Sequence, residues 1–198
     1  TVLRTLLATT GDAEVQPTLS TPTYEVINVS ANTLLVGTAG GNNGKDRCAV
    51  VPFQLPDLGV VANPFNAAFF TVNHASNQST PLGNVSLYGL GSRASQTVMP
   101  SDYWSATPAI DSTDATLLQE VLVQAGSTSF GLKTTDAANS GNLVAYLNAQ
   151  YAGGAGIGKY VFLRLSADAA QTGGANRYVF TSANGANSNT TIHPQINF

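Results

Sequence analysis

One segment of the sequence has the spacing of a phosphate-binding loop. Residues 153–159 read Gly-Gly-Ala-Gly-Ile-Gly-Lys and contain the Gly-x4-Gly-Lys pattern, in which main-chain N–H groups cradle phosphates. Two features argue against this chemistry. Tyr160 occupies the position of the magnesium-binding Ser or Thr, and the segment follows a helical pattern and precedes a strand pattern, the reverse of a phosphate loop. We therefore interpret 153–159 as a connector from a helix to a strand.

No other group of residues has the spacing of a catalytic or metal site. His74 and His193 lie in strand-like runs outside any His-x-x-x-His pattern, and no Gly-x-Ser-x-Gly elbow is present. Asp111 and Asp114, in Asp-Ser-Thr-Asp, could bind calcium through oxygen ligands, but the spaced acidic ligands of a calcium-binding loop are absent. A turn in which both carboxylates bond to the backbone is the alternative. We expect no catalytic residue, no cofactor and no enzymatic activity.

Two adjacent aromatic residues are the strongest candidates for binding a ligand. Tyr103 and Trp104 follow Pro100-Ser101-Asp102 in a long polar stretch. Aromatic rings exposed on a loop can stack on the faces of sugar rings, so the pair is a candidate carbohydrate-binding site. The alternative is that Trp104 closes one end of the fold as a core residue.

The elements that must position these residues are those of a β-protein. Short apolar or alternating runs are separated by clusters of Gly, Asn, Pro and Ser. In Asn142–Tyr151, apolar residues recur every four positions, which predicts one short helix. Strands without intervening helices predict an all-β fold, an antiparallel jelly-roll-like β-sandwich. The predicted strands are Val2–Ala8, Tyr24–Asn28, Thr33–Val36, Arg47–Leu55, Ala67–His74, Val85–Leu90, Thr116–Val123, Tyr160–Ser166, Tyr178–Ser182 and Thr191–Asn197, and the predicted core residues are Val51, Phe53, Phe70, Val72, Leu87, Phe162, Leu165 and Phe180.

Length and charge limit the classes of function. The chain has 198 residues, of which 43% are apolar, enough to bury the core of one domain. Only eight residues are Lys or Arg and the net charge is −3, which excludes an extended nucleic-acid-binding surface. No apolar run reaches the ~20 residues of a transmembrane segment. The single cysteine, Cys48, excludes an internal disulfide, and its apolar neighbours predict a buried thiol.

The composition of the polar residues favours an extracellular or cell-surface location. Charged residues make up only 10% of the chain, so its surface consists mostly of Thr, Ser, Asn, Gln and Gly. Such a surface leaves little electrostatic repulsion between identical copies. Four Asn-x-Ser/Thr sequons are candidate glycosylation sites, and they begin at Asn28, Asn77, Asn84 and Asn189.

The N-terminal segment is an apolar strand followed by Thr9-Thr10-Gly11, which we interpret as a hinge. An exposed apolar strand is a liability in a monomer, but when donated to a neighbouring sheet it gains hydrogen bonds and side-chain pockets. We therefore divide the chain into residues 1–10, a candidate donor strand, and residues 11–198, a single β-sandwich domain. On this hypothesis a neighbouring copy buries four self-assembly residues: Val2, Leu3, Leu6 and Leu7. The alternative is that the strand joins its own sheet.

A series of short segments, spread over nearly the whole chain, resembles a known family. The segments are Gly11–Val15, Thr33–Gly37, Arg47–Leu55, Ala67–His74, Val85–Tyr88, Tyr103-Trp104, Leu143–Tyr151, Phe180–Ser182 and His193–Ile196. Their order is similar to that of the DNRLRE-type domains, secreted β-sandwiches related to a family of carbohydrate-binding modules. Gln54 replaces the usual Asp of that family, and Ala183-Asn184 replaces its Arg-Glu after Ser182. These departures remove polar positions that would serve a ligand site.

Two functions from different classes follow from these observations. In the first, the protein is an extracellular structural subunit that assembles with identical subunits into a filament or surface layer. The alternative is a carbohydrate-binding module that attaches to polysaccharide, with Tyr103 and Trp104 as its site. The low surface charge and the apolar N-terminal strand favour assembly.

Overall fold

The computed structural model describes residues 3–18, 23–38, 46–103, 115–169, 174–186 and 189–198. These residues form β-strands with a few helices, including single turns of 3-10 helix at Pro100–Asp102 and Ala152–Gly154. In chain order the elements are β1 (Thr5–Leu7), β2 (Ala13–Pro17), β3 (Tyr24–Ile27), β4 (Thr33–Thr38), β5 (Asp46–Gln54), β6 (Phe69–Gln78), β7 (Val85–Arg93), β8 (Thr116–Val123), β9 (Gly131–Thr134), α1 (Ser140–Tyr151), β10 (Tyr160–Ala167), β11 (Arg177–Thr181), α2 (Ala183–Ala186) and β12 (Gln195–Asn197).

The described strands pair antiparallel and form one curled sheet that folds into two layers. In the first layer, β6 has β9 on one side and β11 and β12 on the other; β4 then pairs with β11, and β1 with β12. The second layer has the order β3-β2-β5-β10-β7-β8. The layers are continuous where β4 pairs with the start of β5. The predicted all-β sandwich is confirmed.

The main core lies between the two layers and follows the alternation of the strands. All eight predicted core residues have no solvent-exposed surface. Along β10, Val161, Leu163 and Leu165 face this main core. Phe162 points the other way and joins a smaller cluster that includes the buried Cys48 and Tyr103. The second layer is therefore covered on both faces, which explains why β10 reads as a nearly continuous apolar run.

The helix α1 begins two residues before the predicted boundary and ends at the predicted residue. It buries Leu143, Leu147 and Tyr151, as the four-residue spacing indicates. The helix ends at Ala152, which has a left-handed conformation with φ of 46°. Neither α1 nor α2, the α-helices of the described chain, is long and apolar enough to cross a membrane.

The structure differs from the predicted strands in several places. β2 and β9 were not predicted, because both are short and rich in polar residues or glycine. The predicted strand Thr191–Asn197 is shorter, since 190–192 forms a turn, with the Ile192 N–H bonded to the Asn189 carbonyl (3.3 Å). The N-terminal strand is limited to Thr5–Leu7 in the described residues.

Candidate functional site

The glycine-rich segment 153–159 connects α1 to β10, as predicted. Its main-chain N–H groups already have acceptors within the chain. The Gly156 N–H bonds to the Tyr151 carbonyl (2.9 Å), Gly158 to Leu55 (3.0 Å) and Lys159 to Gly156 (3.0 Å). Because these donors are occupied and no helix begins here, the segment lacks the anion-binding geometry of a phosphate loop.

His74 is buried among aromatic side chains. Its ring lies 5.1 Å from the ring of Phe130, 5.7 Å from that of Tyr178 and 5.4 Å from that of Phe180. Nε2 is 2.7 Å from the side-chain oxygen of Asn77. Burial lowers the pKa of His74, so the neutral imidazole is favoured. His74 is therefore a core residue. Among the described residues, no group of three or more His, Cys, Asp and Glu side chains could hold a metal ion.

Tyr103 is not available for stacking on a sugar. Only 4% of its surface is exposed, and its ring stacks on that of Tyr24 at a centroid distance of 4.4 Å. The prediction that Tyr103 is exposed is wrong, because the residue belongs to the smaller cluster that also contains Phe162 and Cys48. Trp104, Asp111 and Asp114 lie outside the described residues.

The four sequon asparagines lie in different environments. Asn28 and Asn189 are exposed, although the Asn28 amide donates to Glu14 (2.9 Å). Asn77 and Asn84 are half-buried, and both amide groups are bonded within the chain. The Asn77 amide donates to the Ser127 carbonyl (2.7 Å), and that of Asn84 donates to the Asp168 carboxylate (2.7 Å).

The N-terminal strand β1 pairs with β12 of its own chain. Thr5 lies opposite Asn197, and Arg4 and Phe198 exchange main-chain hydrogen bonds of 2.8 and 2.9 Å. Leu6 is half-buried and packs against the main core. This arrangement is the alternative in which the strand joins its own sheet, and it corrects the expectation that a neighbouring copy buries Leu6. Val2 lies outside the described residues.

The outer edge of β1 is open in the described chain. Along an antiparallel strand, main-chain polar groups face the partner strand and the opposite side in alternation. Since Arg4 and Leu6 face β12, the polar groups of Leu3, Thr5 and Leu7 face away from it, and no other described strand pairs with this side of β1. β5 lies close to the end of β1, where the Thr9 N–H bonds to the Pro52 carbonyl (2.9 Å). The side chains of Leu3 and Leu7 are 56% and 39% exposed. This combination is a template for a further strand.

An apolar groove of about 610 Å³ lies beside the start of β1. Its apolar lining residues are Leu3, Leu58, Val61, Pro64, Ala67 and Phe198; Arg4 and Asp57 contribute one charge of each sign, and Asn63 and Asn66 contribute two amide groups. Val60 and Val61, on the connection between β5 and β6, are 90% and 48% exposed. The groove and the β1 edge form one surface, which we call the β1 edge surface.

The helix α1 holds the groove wall in place. The Tyr151 hydroxyl accepts a hydrogen bond from the Leu58 N–H (2.9 Å) and donates one to the Gly59 carbonyl (2.8 Å). The Asn148 side chain bonds both the N–H and the carbonyl of Phe65 (3.0 and 2.9 Å). These contacts tie the connection to a regular element, so the exposed valines beside the groove are positioned by the fold.

The residues after β1 anchor the strand to its own domain. The Ala8 N–H bonds to the Pro194 carbonyl and the Thr9 N–H to that of Pro52, both at 2.9 Å. The buried Asp12 carboxylate accepts a hydrogen bond from the Ala183 N–H (2.6 Å). Burial raises the pKa of Asp12 to about 6, against the lowering effect of this bond and of Asn184 and His193. The segment interpreted as a hinge is thus bonded to the body of the domain.

Comparison with known proteins adds no relative to this description. The chain matches no protein-family model, and no curated protein is detectably similar to it. The resemblance to the DNRLRE-type domains therefore stays a prediction. Leu3 and Leu7 were found from the sequence as apolar residues of a terminal strand. The groove was missed because its walls come from residues far apart in the chain.

Proposed function

We propose that this protein is a structural subunit that assembles with identical copies outside the cell, and that the β1 edge surface is where it does so. The observation that carries the proposal is the open edge of β1. Leu3, Thr5 and Leu7 direct main-chain donors and acceptors away from their own sheet, next to exposed leucines and an apolar groove. A strand of another subunit would satisfy these groups, and its side chains would pack beside the leucines.

The energetics of such a contact favour association. A cross-strand pair of side chains contributes ~0.2–1 kcal/mol, and a typical hydrogen bond contributes ~0.5–1.5 kcal/mol. The leucines together with one or two closed hydrogen-bonded pairs therefore supply a few kcal/mol before the entropy of association is subtracted. β1 keeps its pairing with β12 in this form of assembly, because the new strand adds to its free side.

The remaining surface supports the same proposal. Charged residues make up 10% of the chain and the net charge is −3, so identical copies repel each other little. A polar surface of Thr, Ser, Asn and Gln, with exposed sequon residues Asn28 and Asn189, supports an extracellular or cell-surface location. Membership of the DNRLRE-type domains is part of this proposal and rests on the order of the segments.

The proposal predicts that Thr5→Pro abolishes assembly without unfolding the subunit. Proline at this position removes an outward N–H that β12 does not use, and proline is tolerated on the open side of an edge strand. Sedimentation velocity over a range of concentrations should show large species for the natural chain and monomer for Thr5→Pro.

Thr5→Val is the matched control. Both variants lose the hydrogen bond from the Thr5 hydroxyl to Asn197 (2.8 Å), but Val keeps the N–H. Thr5→Val should therefore assemble like the natural chain, and both variants should have similar melting temperatures. A natural chain that stays monomeric at high concentration, or a Thr5→Pro variant that assembles normally, would contradict the proposal.

A further inference from the structure

We infer that the strand which adds to β1 is β9 of a second copy; the inference rests on the proposed function, because it names the partner of the same edge. Within one layer, β1 pairs with β12, β12 with β6 and β6 with β9. Every step is antiparallel, so β1 and β9 run in opposite directions at the two edges. A copy displaced sideways along the sheet therefore presents its β9 antiparallel to β1.

The β9 edge has the complementary features. Its register with β6 is regular and places Thr134 opposite Thr71 and Leu132 opposite Asn73. The Thr135 N–H bonds to the Phe70 carbonyl (2.9 Å), so alternate residues face β6 and the polar groups of Leu132 and Thr134 face outward. Leu132 is 49% exposed and the preceding Phe130 is 51% exposed. β9 thus combines open hydrogen-bonding groups with apolar side chains, as β1 does.

The other edges of the described sheet are less suited to receive a strand. β8 is irregular in two places along its pairing with β7, and such bulges interrupt a ladder. On β4, the Leu35 N–H is already bonded to the Glu14 carboxylate (2.9 Å). Every side chain within β3 is half-buried, so that strand offers no exposed apolar residue.

The side chains favour one register between β1 and β9. Outward-facing residues must pair with outward-facing residues, which allows Thr5 opposite Thr134 together with Leu7 opposite Leu132. The same register places Leu3 opposite Asp136, whose N–H is already bonded to the Gln119 side chain (2.9 Å), so the new ladder consists of the first two pairs. Threonine pairs and apolar pairs across strands are stabilising. A shift by two residues in one direction would place Arg4 opposite Lys133, and like charges directly opposite are destabilising.

The geometry of this contact makes it open-ended. Within one chain Leu7 is level with Gln195, Thr71 and Thr134. The proposed register therefore displaces the next copy by two residues along the strands, about 7 Å. Because each copy offers β1 on one side and β9 on the other, the contact is head-to-tail and generates a filament unless the accumulated rotation closes a ring.

A chain that carries both Thr5→Cys and Thr134→Cys tests the inference. Residues opposite each other in an antiparallel pair lie within the Cα distance that a disulfide spans. After mild oxidation at assembling concentration, a denaturing gel without reductant should show a ladder of cross-linked oligomers. Reduction should collapse the ladder to the monomer. The natural Cys48 has no exposed surface, so the unmodified chain should give no ladder.

Matched variants separate this inference from the proposed function. Thr5→Cys with Leu132→Cys places the thiols on a diagonal and should give little cross-linking; cross-linking of this pair in preference to the first would overturn the register. Cross-linked dimers of Thr5→Cys alone would show that two β1 strands pair about a two-fold axis. This result would overturn the inference about β9 but would leave β1 as the proposed assembly edge. Assembly that Thr5→Pro blocks but no cysteine pair captures would also overturn it. A chain that does not assemble at any concentration would contradict both the proposed function and this inference.

Discussion

At the scale of single residues, the polar groups buried in this fold serve to hold strands in register. Glu14 has no exposed surface, and its carboxylate receives hydrogen bonds from Asn28, Leu35 and Arg47 at 2.8–2.9 Å. Asp12, also fully buried, receives the Ala183 N–H without a direct basic partner among the described contacts. The two carboxylates therefore differ in how much their burial is compensated by charge.

Asp12 should make the folded chain less stable as the pH rises. Its pKa in the folded chain is about 6, above its ordinary value of 3.8, because burial disfavours the charged form. The folded state thus binds the proton more tightly than the unfolded state, and this contribution is complete below pH 3.8 and lost as the pH rises through 6. We expect the free energy of unfolding of the natural chain to fall relative to Asp12→Asn between pH 4 and pH 7, by up to about 3 kcal/mol.

Denaturant unfolding at several pH values measures this difference. Glu120→Gln removes one carboxylate at an exposed position of β8 and is the control for the loss of a negative charge. A difference between Asp12→Asn and the natural chain that does not change with pH would show that Asp12 is not the group responsible.

At the scale of elements, the contact between α1 and β7 shows how closely the helix fits the sheet. The Tyr146 hydroxyl donates to the Leu90 carbonyl (2.6 Å), and the Tyr146 ring lies over Gly89. A Cβ atom built on Gly89 would lie 2.5–2.8 Å from three atoms of that ring. Glycine is therefore required here by the close approach of the aromatic ring.

Gly89→Ala should destabilise the fold by about 1–3 kcal/mol, because the methyl group would displace Tyr146 and with it α1. Gly91→Ala lies on the same strand, where a Cβ atom meets nothing within 4 Å, and it should change stability by less than about 1 kcal/mol. Denaturant unfolding compares the two variants. Equal effects of both would mean that α1 does not pack on Gly89 as described.

The sequence predicts which long, periodic elements form better than it predicts the short strands and the pairing of strands. The limits of β8 match those predicted, and α1 is confirmed, because both have clear periodic patterns. β2 was missed because its polar residues are buried by contacts with distant strands, such as Glu14 with Arg47. β9 was missed because four residues starting with glycine carry too little periodicity. Pairing partners depend on residues far apart in sequence, which local patterns do not encode.

At the scale of the whole molecule, the two edges of the first layer, β1 and β9, each pair with only one described strand. β1 and β9 both expose leucines and open main-chain groups, while β8 is bulged and part of β4 is bonded to a side chain. The apolar N-terminal strand could be found from the sequence, but its pairing with β12 and the position of β9 could not, since both follow from the topology. Under the proposed function, these open edges are the sites of assembly.

The most direct test of this account is hydrogen exchange of the β1 amides in dilute and assembled samples. The N–H groups of Arg4, Leu6 and Ala8 are directed at acceptors in the chain's own fold, whereas those of Leu3, Thr5 and Leu7 face outward. Assembly should therefore slow exchange strongly at Thr5 and Leu7, and to a smaller extent at Arg4 and Leu6. Assembly without a change at Thr5 and Leu7, or unchanged exchange because the chain remains monomeric, would contradict the claim that β1 is the assembly edge.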